Sequence, residues 1–242
     1  MRKLFFLLLF LPLIGIGQPT AKNVLSSTRY FSKNDKAVEF DKALANHAQT
    51  YHMGDFHWRV WSVTSGPDAG AYMVSEGPSD WTTLDGRGDI NPAHKADWEK
   101  NVLPLVATTG ARMYLTFQPD MSTVQLTDYA DKIMITHMTA KPGKLPAVTD
   151  LIKKMKKVWE AGKESVAVYS VTASGEPGYV LVNRLREGLK ELADGFRKPM
   201  SERFNDAYGA GMWESFYLKD YAEAVQTRWS ELLVYKPELS SK

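Results

Sequence analysis

Cysteine is absent from all 242 residues. That excludes a lipoprotein attachment thiol, a disulfide framework and every thiolate metal site. An excess of one charge is lacking as well: 30 basic residues face 28 acidic ones, and setting Arg2 and Lys3 aside makes the two counts equal. A formally neutral chain gives no basis for nucleic acid or an anionic membrane surface as partner. Short catalytic signatures are missing too. There is no serine nucleophile elbow, no phosphate-binding glycine loop, no paired-histidine zinc helix and no calcium loop. What remains is 44% hydrophobic and 12% aromatic residues, enough to bury an ordinary core in one large domain or two packed halves.

The first residues read as a leader. Arg2 and Lys3 precede an apolar run from Leu4 to Ile14, and Gly15-Ile16-Gly17 supplies the small residues of a cleavage site. The run is too short to span a bilayer and is followed at once by Gln18-Pro19. A signal peptide over residues 1–17 and an exported protein, periplasmic or secreted, are expected.

The rest of the chain resembles itself. Phe40, Leu44, Tyr51 and Gly54 match Val148, Ile152, Trp159 and Gly162, and Val60-Trp61-Ser62-Val63-Thr64 matches Val168-Tyr169-Ser170-Val171-Thr172, all at one offset of 108. Gln118-Pro119-Asp120-Met121-Ser122 matches Lys236-Pro237-Glu238-Leu239-Ser240 at 118, so the second copy carries about ten extra residues before its last strand. The repeats are placed at residues 18–125 and 126–242. In each, a strand (Ser27 to Phe31; Lys132 to Thr139) precedes an amphipathic helix with Phe40, Leu44, His47, Ala48 and Tyr51, or Leu145, Val148, Ile152, Met155 and Trp159, on its apolar side. Asn34 or Asp35 is the expected cap of the first helix. Strands from His57 to Thr64 and Ala71 to Ser75, or Ser165 to Thr172 and Tyr179 to Asn183, come next. Helical material (Trp98, Val102 and Leu105; Leu185 to Phe196 and Met200 to Tyr208) and a last strand, Arg112 to Phe117 or Glu231 to Tyr235, close each copy. The order β-α-β-β-α-β is ferredoxin-like, and two such units can bury their bare faces against each other, sheet on sheet.

The Lys141-Pro142-Gly143-Lys144 turn, the Gly77-Pro78-Ser79-Asp80-Trp81 segment and the closing Pro119-Asp120 and Pro237-Glu238 resemble the dimeric α+β barrel superfamily, in its NIPSNAP-like and antibiotic-biosynthesis-monooxygenase-like branches. The resemblance implies an α+β fold of two tandem ferredoxin-like repeats packed as an intrachain barrel, and a monomer with an internal pseudo-dimer. It is associated with cofactor-free monooxygenases and haem-binding or haem-degrading enzymes, so haem is a cofactor it admits. The asparagine usual in the oxygenase relatives has no matching motif here; neither Asn46 nor Asn183 lies in one. The leading expectation is therefore a small-molecule-binding or scaffold protein, with the monooxygenase or haem enzyme as alternative.

Candidate ligand-binding residues are Trp61, Tyr72, Trp81, His137 and Tyr169. Trp61 and Tyr169 occupy matched strand positions, as Tyr72 and Tyr179 approximately do, and aromatics there suit a small apolar or aromatic ligand. Arg59 is read as facing away from Trp61. Trp81 follows Gly77-Pro78 as a lid or a loop anchor. Ile133, Ile135 and His137 share a strand face, and the counterpart of His137 is Arg29. No metal site is assigned: His47 and His52, five apart, would diverge by about 140° on a helix, and His52 and His57 read as exposed turn residues.

Overall fold

The structure, a computed structural model, describes residues 21–242; the expected leader and cleavage point lie outside them. Eight strands, each hydrogen-bonded to two neighbours, close into one barrel: β1 (Val24–Ser32), β3 (Tyr72–Ser79), β2 (Trp58–Val63), β8 (Val225–Tyr235), β5 (Lys132–Ala140), β7 (Gly178–Arg184), β6 (Val166–Thr172) and β4 (Val106–Phe117), which returns to β1. All the pairings are antiparallel. The two halves are therefore joined edge to edge, through β2 with β8 and β4 with β6. The faces of the two halves still meet across the lumen, as expected, and the edge pairing closes them into the barrel. Closure satisfies four strand edges that two separate sheets would leave open.

Alternation along the strands separates a lumen from an outer surface. Trp61, Val63, Met73, Leu115, Phe117, Ile133, Ile135, Tyr169, Val180 and Leu233 fill the lumen. Outside, the amphipathic helices pack as their period requires. In α1 (Ala37–Tyr51), Phe40, Leu44 and Ala48 are buried against Tyr30, Trp58, Val60 and Val74. In α4 (Leu145–Ala161), Val148, Leu151, Ile152, Met155, Val158 and Trp159 are buried over Met138, Val166, Val168 and Tyr179. Each large side chain so buried contributes roughly 1.5–3 kcal/mol.

Several boundaries differ from the sequence reading. The cap of α1 is Lys36, and no side chain caps it. Gly77-Pro78-Ser79 does not follow the third strand but ends it, with a cis bond before Pro78, and Asp80 caps α2 (Trp81–Asp85) by accepting from the Thr83 N–H at 2.8 Å. The last strands are longer than expected, at 12 and 11 residues. Before β4 run α3 (Pro92–Asp97), a π-turn (Trp98–Val102) and a 3-10 turn (Leu103–Leu105). The segment from Leu185 to Phe196 forms only a 3-10 turn, Gly188–Leu192, ahead of α5 (Met200–Tyr208). A π-turn (Trp213–Leu218) and α6 (Lys219–Ala224) then lead into β8. No helix of the described residues is long and apolar enough to cross a membrane.

Candidate functional site

Arg29 and His137, counterparts in the two halves of the sequence, converge on one carboxylate at one end of the lumen. Arg29 leaves β1 inward, His137 leaves β5 inward, and Glu231 stands between them on β8, sharing a face with Leu233 and Tyr235. Arg29 Nη2 donates to Glu231 Oε1, and His137 Nε2 lies 2.9 Å from the same oxygen. Arg29 Nε is 3.5 Å from Asp68 on the turn between β2 and β3. Burial lowers the Arg29 pKa, with Glu231 and Asp68 opposing it; a guanidinium with two carboxylates beside it remains charged at neutral pH. Two glycines make room for this group. A Cβ on Gly66, whose φ is +90°, would come within 2.8 Å of Glu231 Cβ, and one on Gly110 within 2.9 Å of Arg29 Cβ.

The Glu231 side chain is fully buried and that of Arg29 is 9% exposed, yet Glu231 Oε2 and Arg29 Nη1 have no hydrogen-bond partner. Buried polar atoms are ordinarily satisfied. Arg29, Asp68 and His137 line a cavity of about 250 Å³ whose other walls are mostly apolar, including Met73, Met113, Leu115 and Val180. The His137 ring stacks on Trp229 at 3.9 Å and 14°. Deeper in the lumen a smaller space of about 60 Å³ reaches Trp61 and Tyr169. Ser27, Met73, Leu115, Ile135 and Val180 border both, forming a waist between them.

Three of the five expected residues, Trp61, His137 and Tyr169, therefore face one lumen. Tyr169 is buried, which pushes its hydroxyl up to about 12. Arg59 also faces inward, its guanidinium 3.9 Å above the Tyr129 ring. It lies two residues from Trp61 and so shares its side of β2, contrary to the expectation. Tyr72 points the other way, onto Phe40 of α1 at 5.3 Å, where burial and then Asp41 raise its pKa. Trp81 is 45% exposed at the start of α2, 5.7 Å from Tyr114, and lines neither space. Sequence reasoning passed over Glu231 and Trp229. An acid two residues before Leu233 on an apolar strand face was the available signal.

The histidine geometry differs most from expectation. His52 is completely buried, not an exposed turn residue, and its Nε2 is 3.3 Å from that of His47. The 140° argument assumed a helix that continues; α1 ends at Tyr51, and His52, at φ −105° and ψ 83°, turns back toward it.

A second cavity, of about 460 Å³, lies between the sheet and the helices of the second half, lined by Met138, Met155, Met200, Trp213, Tyr217 and Arg228 among others. No histidine lines it, because His137 sits on the lumen face of its strand. The residues present do not fit a histidine-ligated haem.

No family model and no curated protein matches the chain. Solved structures do. A chlorite dismutase variant from Candidatus Nitrospira defluvii aligns over 89% of this chain and 92% of its own with 8% identity and a TM-score of 0.56. A protein provisionally described as a monooxygenase from Fusobacterium nucleatum aligns over 88% and 91% with 16% identity and a TM-score of 0.55. An anthrone oxidase-like protein aligns over 89% and 92% with 11% identity and a TM-score of 0.52. At these identities the likeness is one of fold, and the fold is the dimeric α+β barrel closed within a single chain.

Proposed function

We propose that this is an exported small-molecule-binding protein made of two fused ferredoxin-like repeats, its ligand entering the end of the barrel framed by Arg29, His137 and Trp229. The strand order supports the repeat reading, since it maps onto itself when β1, β2, β3 and β4 exchange with β5, β6, β7 and β8. Recovery of a mature chain from the exported fraction is the check on the leader. The observation that carries the binding site is Arg29 itself, which borders an otherwise mostly apolar cavity with a buried N–H group lacking any protein acceptor. An eight-stranded barrel holds one small ligand at most, and barrel mouths are common binding sites. The ligand class is a small planar apolar molecule with one hydrogen-bond acceptor for Arg29. With 2-naphthol as probe, we expect saturable one-to-one binding that quenches tryptophan fluorescence. Ala111→Phe, an exposed position on the cavity wall, should weaken it about 10-fold or more, the scale of 1.4 kcal/mol. Binding that survives Ala111→Phe and is lost in Met200→Trp would move the ligand to the second cavity.

His137 favours a second reading, an oxygenase-type enzyme without haem. With Nε2 held on Glu231, the neutral ring carries its proton there and leaves Nδ1 as a base. A base beside an apolar cavity suits proton abstraction from a phenol or enol, and the monooxygenase and anthrone oxidase-like names of two neighbours point the same way. Oxygen uptake with anthrone as probe substrate should then fall about 100-fold or more in His137→Gln, the usual worth of a general base. Uptake no faster than the uncatalysed rate in the unmodified protein would refute this reading and leave the binding reading standing.

A further inference from the structure

Three histidines outside the barrel lumen meet beneath the first helical layer. His47 is on the buried side of α1, His52 is the residue at which the chain leaves α1, and His94 is on α3. His47 and His52 are completely buried, and His94 is 8% exposed. The Nε2 atom of His52 lies 3.3 Å from that of His47 and 3.2 Å from that of His94. Ligand atoms of all three fall within 4.8 Å of one another.

The opposite ring nitrogens fix where the protons sit. His47 Nδ1 is 2.8 Å from Asp97 Oδ2. His52 Nδ1 is 3.1 Å from the Phe56 carbonyl oxygen and 3.2 Å from Glu76 Oε2. Carboxylates and carbonyls only accept, so both rings carry their proton on Nδ1 and turn a bare lone pair on Nε2 toward the cluster. One proton on His94 Nε2 can bridge the gap to His52. None is then left for the gap between His52 and His47. Adding imidazolium charge to a buried site with two like neighbours is opposed by desolvation and repulsion together. Two lone pairs 3.3 Å apart call for a cation between them. A tetrahedral ion with nitrogen bonds of about 2.0–2.1 Å holds its ligand nitrogens roughly 3.3–3.4 Å apart, close to the two spacings that His52 makes with His47 and His94.

We propose that His47, His52 and His94 bind a divalent first-row transition metal ion of the zinc type through their Nε2 atoms. Two of the three have the backing that metal-ligating histidines take, the ring nitrogens of His47 and His52 away from the ion being held by acceptors, while His94 Nδ1 is buried without one. Asp97 holds His47 and is itself held by Asn101 Nδ2 at 2.6 Å. Glu76, beside His52, also accepts from Trp58 Nε1 at 2.8 Å and from Arg87 at 2.7 and 2.8 Å. Asn91 caps α3 by accepting from the His94 N–H at 2.9 Å, which fixes the third ligand's backbone. An all-imidazole set suits zinc, copper, nickel or cobalt rather than magnesium or calcium. Among the described residues the group supplies three ligands, so a water or small anion completes a tetrahedron. In the second half Met155 stands where His47 does, and among the described residues the site is single. It stands independently of the lumen and its ligand.

The test uses the full mature chain, stripped with a chelator and titrated with Co²⁺ and then Zn²⁺. We expect one equivalent of Co²⁺, tetrahedral bands in the visible spectrum, displacement by Zn²⁺, and a metal-dependent rise in the unfolding midpoint. His52→Ala and His94→Ala should abolish the bands, while His57→Ala should keep them. Asp97→Asn retains an acceptor for His47 but loses the charge, and should weaken Zn²⁺ about 10- to 100-fold. Folded protein without Co²⁺ bands overturns the proposal, as do bands that persist in His94→Ala. Should the histidine variants fail to fold, an Asp97→Asn affinity equal to that of the unmodified chain overturns it as well.

Discussion

Glu231→Leu is expected to cost about 3–5 kcal/mol of unfolding free energy, because it takes the closer carboxylate from the buried Arg29 guanidinium and leaves only the partly exposed Asp68, 3.5 Å from Nε. The intact pair itself is worth far less than that figure. Two charges withdrawn from water repay their desolvation only narrowly, and here one oxygen and one nitrogen of the pair are still unpartnered. The double variant Arg29→Met/Glu231→Leu should therefore recover most of the loss. In the double-mutant cycle the two substitutions should couple strongly, as groups in one ion pair do. Urea denaturation reads both, with a lowered midpoint and an unchanged slope for the single variant. Equal losses in the single and double variants would mean that Arg29 finds another partner, with Asp68 the nearest to hand. The same outcome would remove the argument for a ligand at the free Arg29 nitrogen.

Arg29 and Glu231 are 202 residues apart, on strands β1 and β8 that are not neighbours in the barrel. Only closure across the lumen brings them together, and local spacing carries no trace of closure. The helices and strands were legible because each has a period that one buried face enforces, as in Phe40, Leu44 and Ala48, or Ile133, Ile135 and His137. The histidine cluster was hidden for a different reason. Spacing arguments assume one continuous element, whereas His52 lies one residue beyond its helix and His94 arrives on another. The pairing of Arg29 with His137 across the halves was visible in the alignment of the two copies, but the carboxylate they share was not. Tyr72 does not face the lumen because an aromatic side chain serves the helix-facing side of a strand equally well, and Trp81, expected as a lid or a loop anchor, opens helix α2 away from both spaces.

The matched closing segments lead to the other large effect. Removing one hydroxyl from each, as Ser122→Ala with Ser240→Ala, is expected to destabilise by about 2–6 kcal/mol, from roughly 1–3 kcal/mol for each buried donor left unpaired. After the 3-10 turn Pro119–Met121, Ser122 Oγ accepts from the Val168 N–H at 2.9 Å and donates to the Gln118 carbonyl at 2.8 Å. After Pro237–Leu239, Ser240 Oγ accepts from the Val60 N–H at 2.9 Å and donates to the Lys236 carbonyl at 2.8 Å. Each segment thus supplies hydrogen bonds to the second strand of the other half: Ser122 serves β6, and Ser240 serves β2. Water cannot substitute, since Ser240 is fully buried and Ser122 is 4% exposed. Neither contact touches the cavity at Arg29 or the three histidines, so probe and metal affinities should be retained while the folded state weakens. Because the two serines share no partner, their separate costs should add within about 0.3–0.5 kcal/mol. A double variant as stable as the unmodified chain would show that these hydroxyls do not help to hold the halves together.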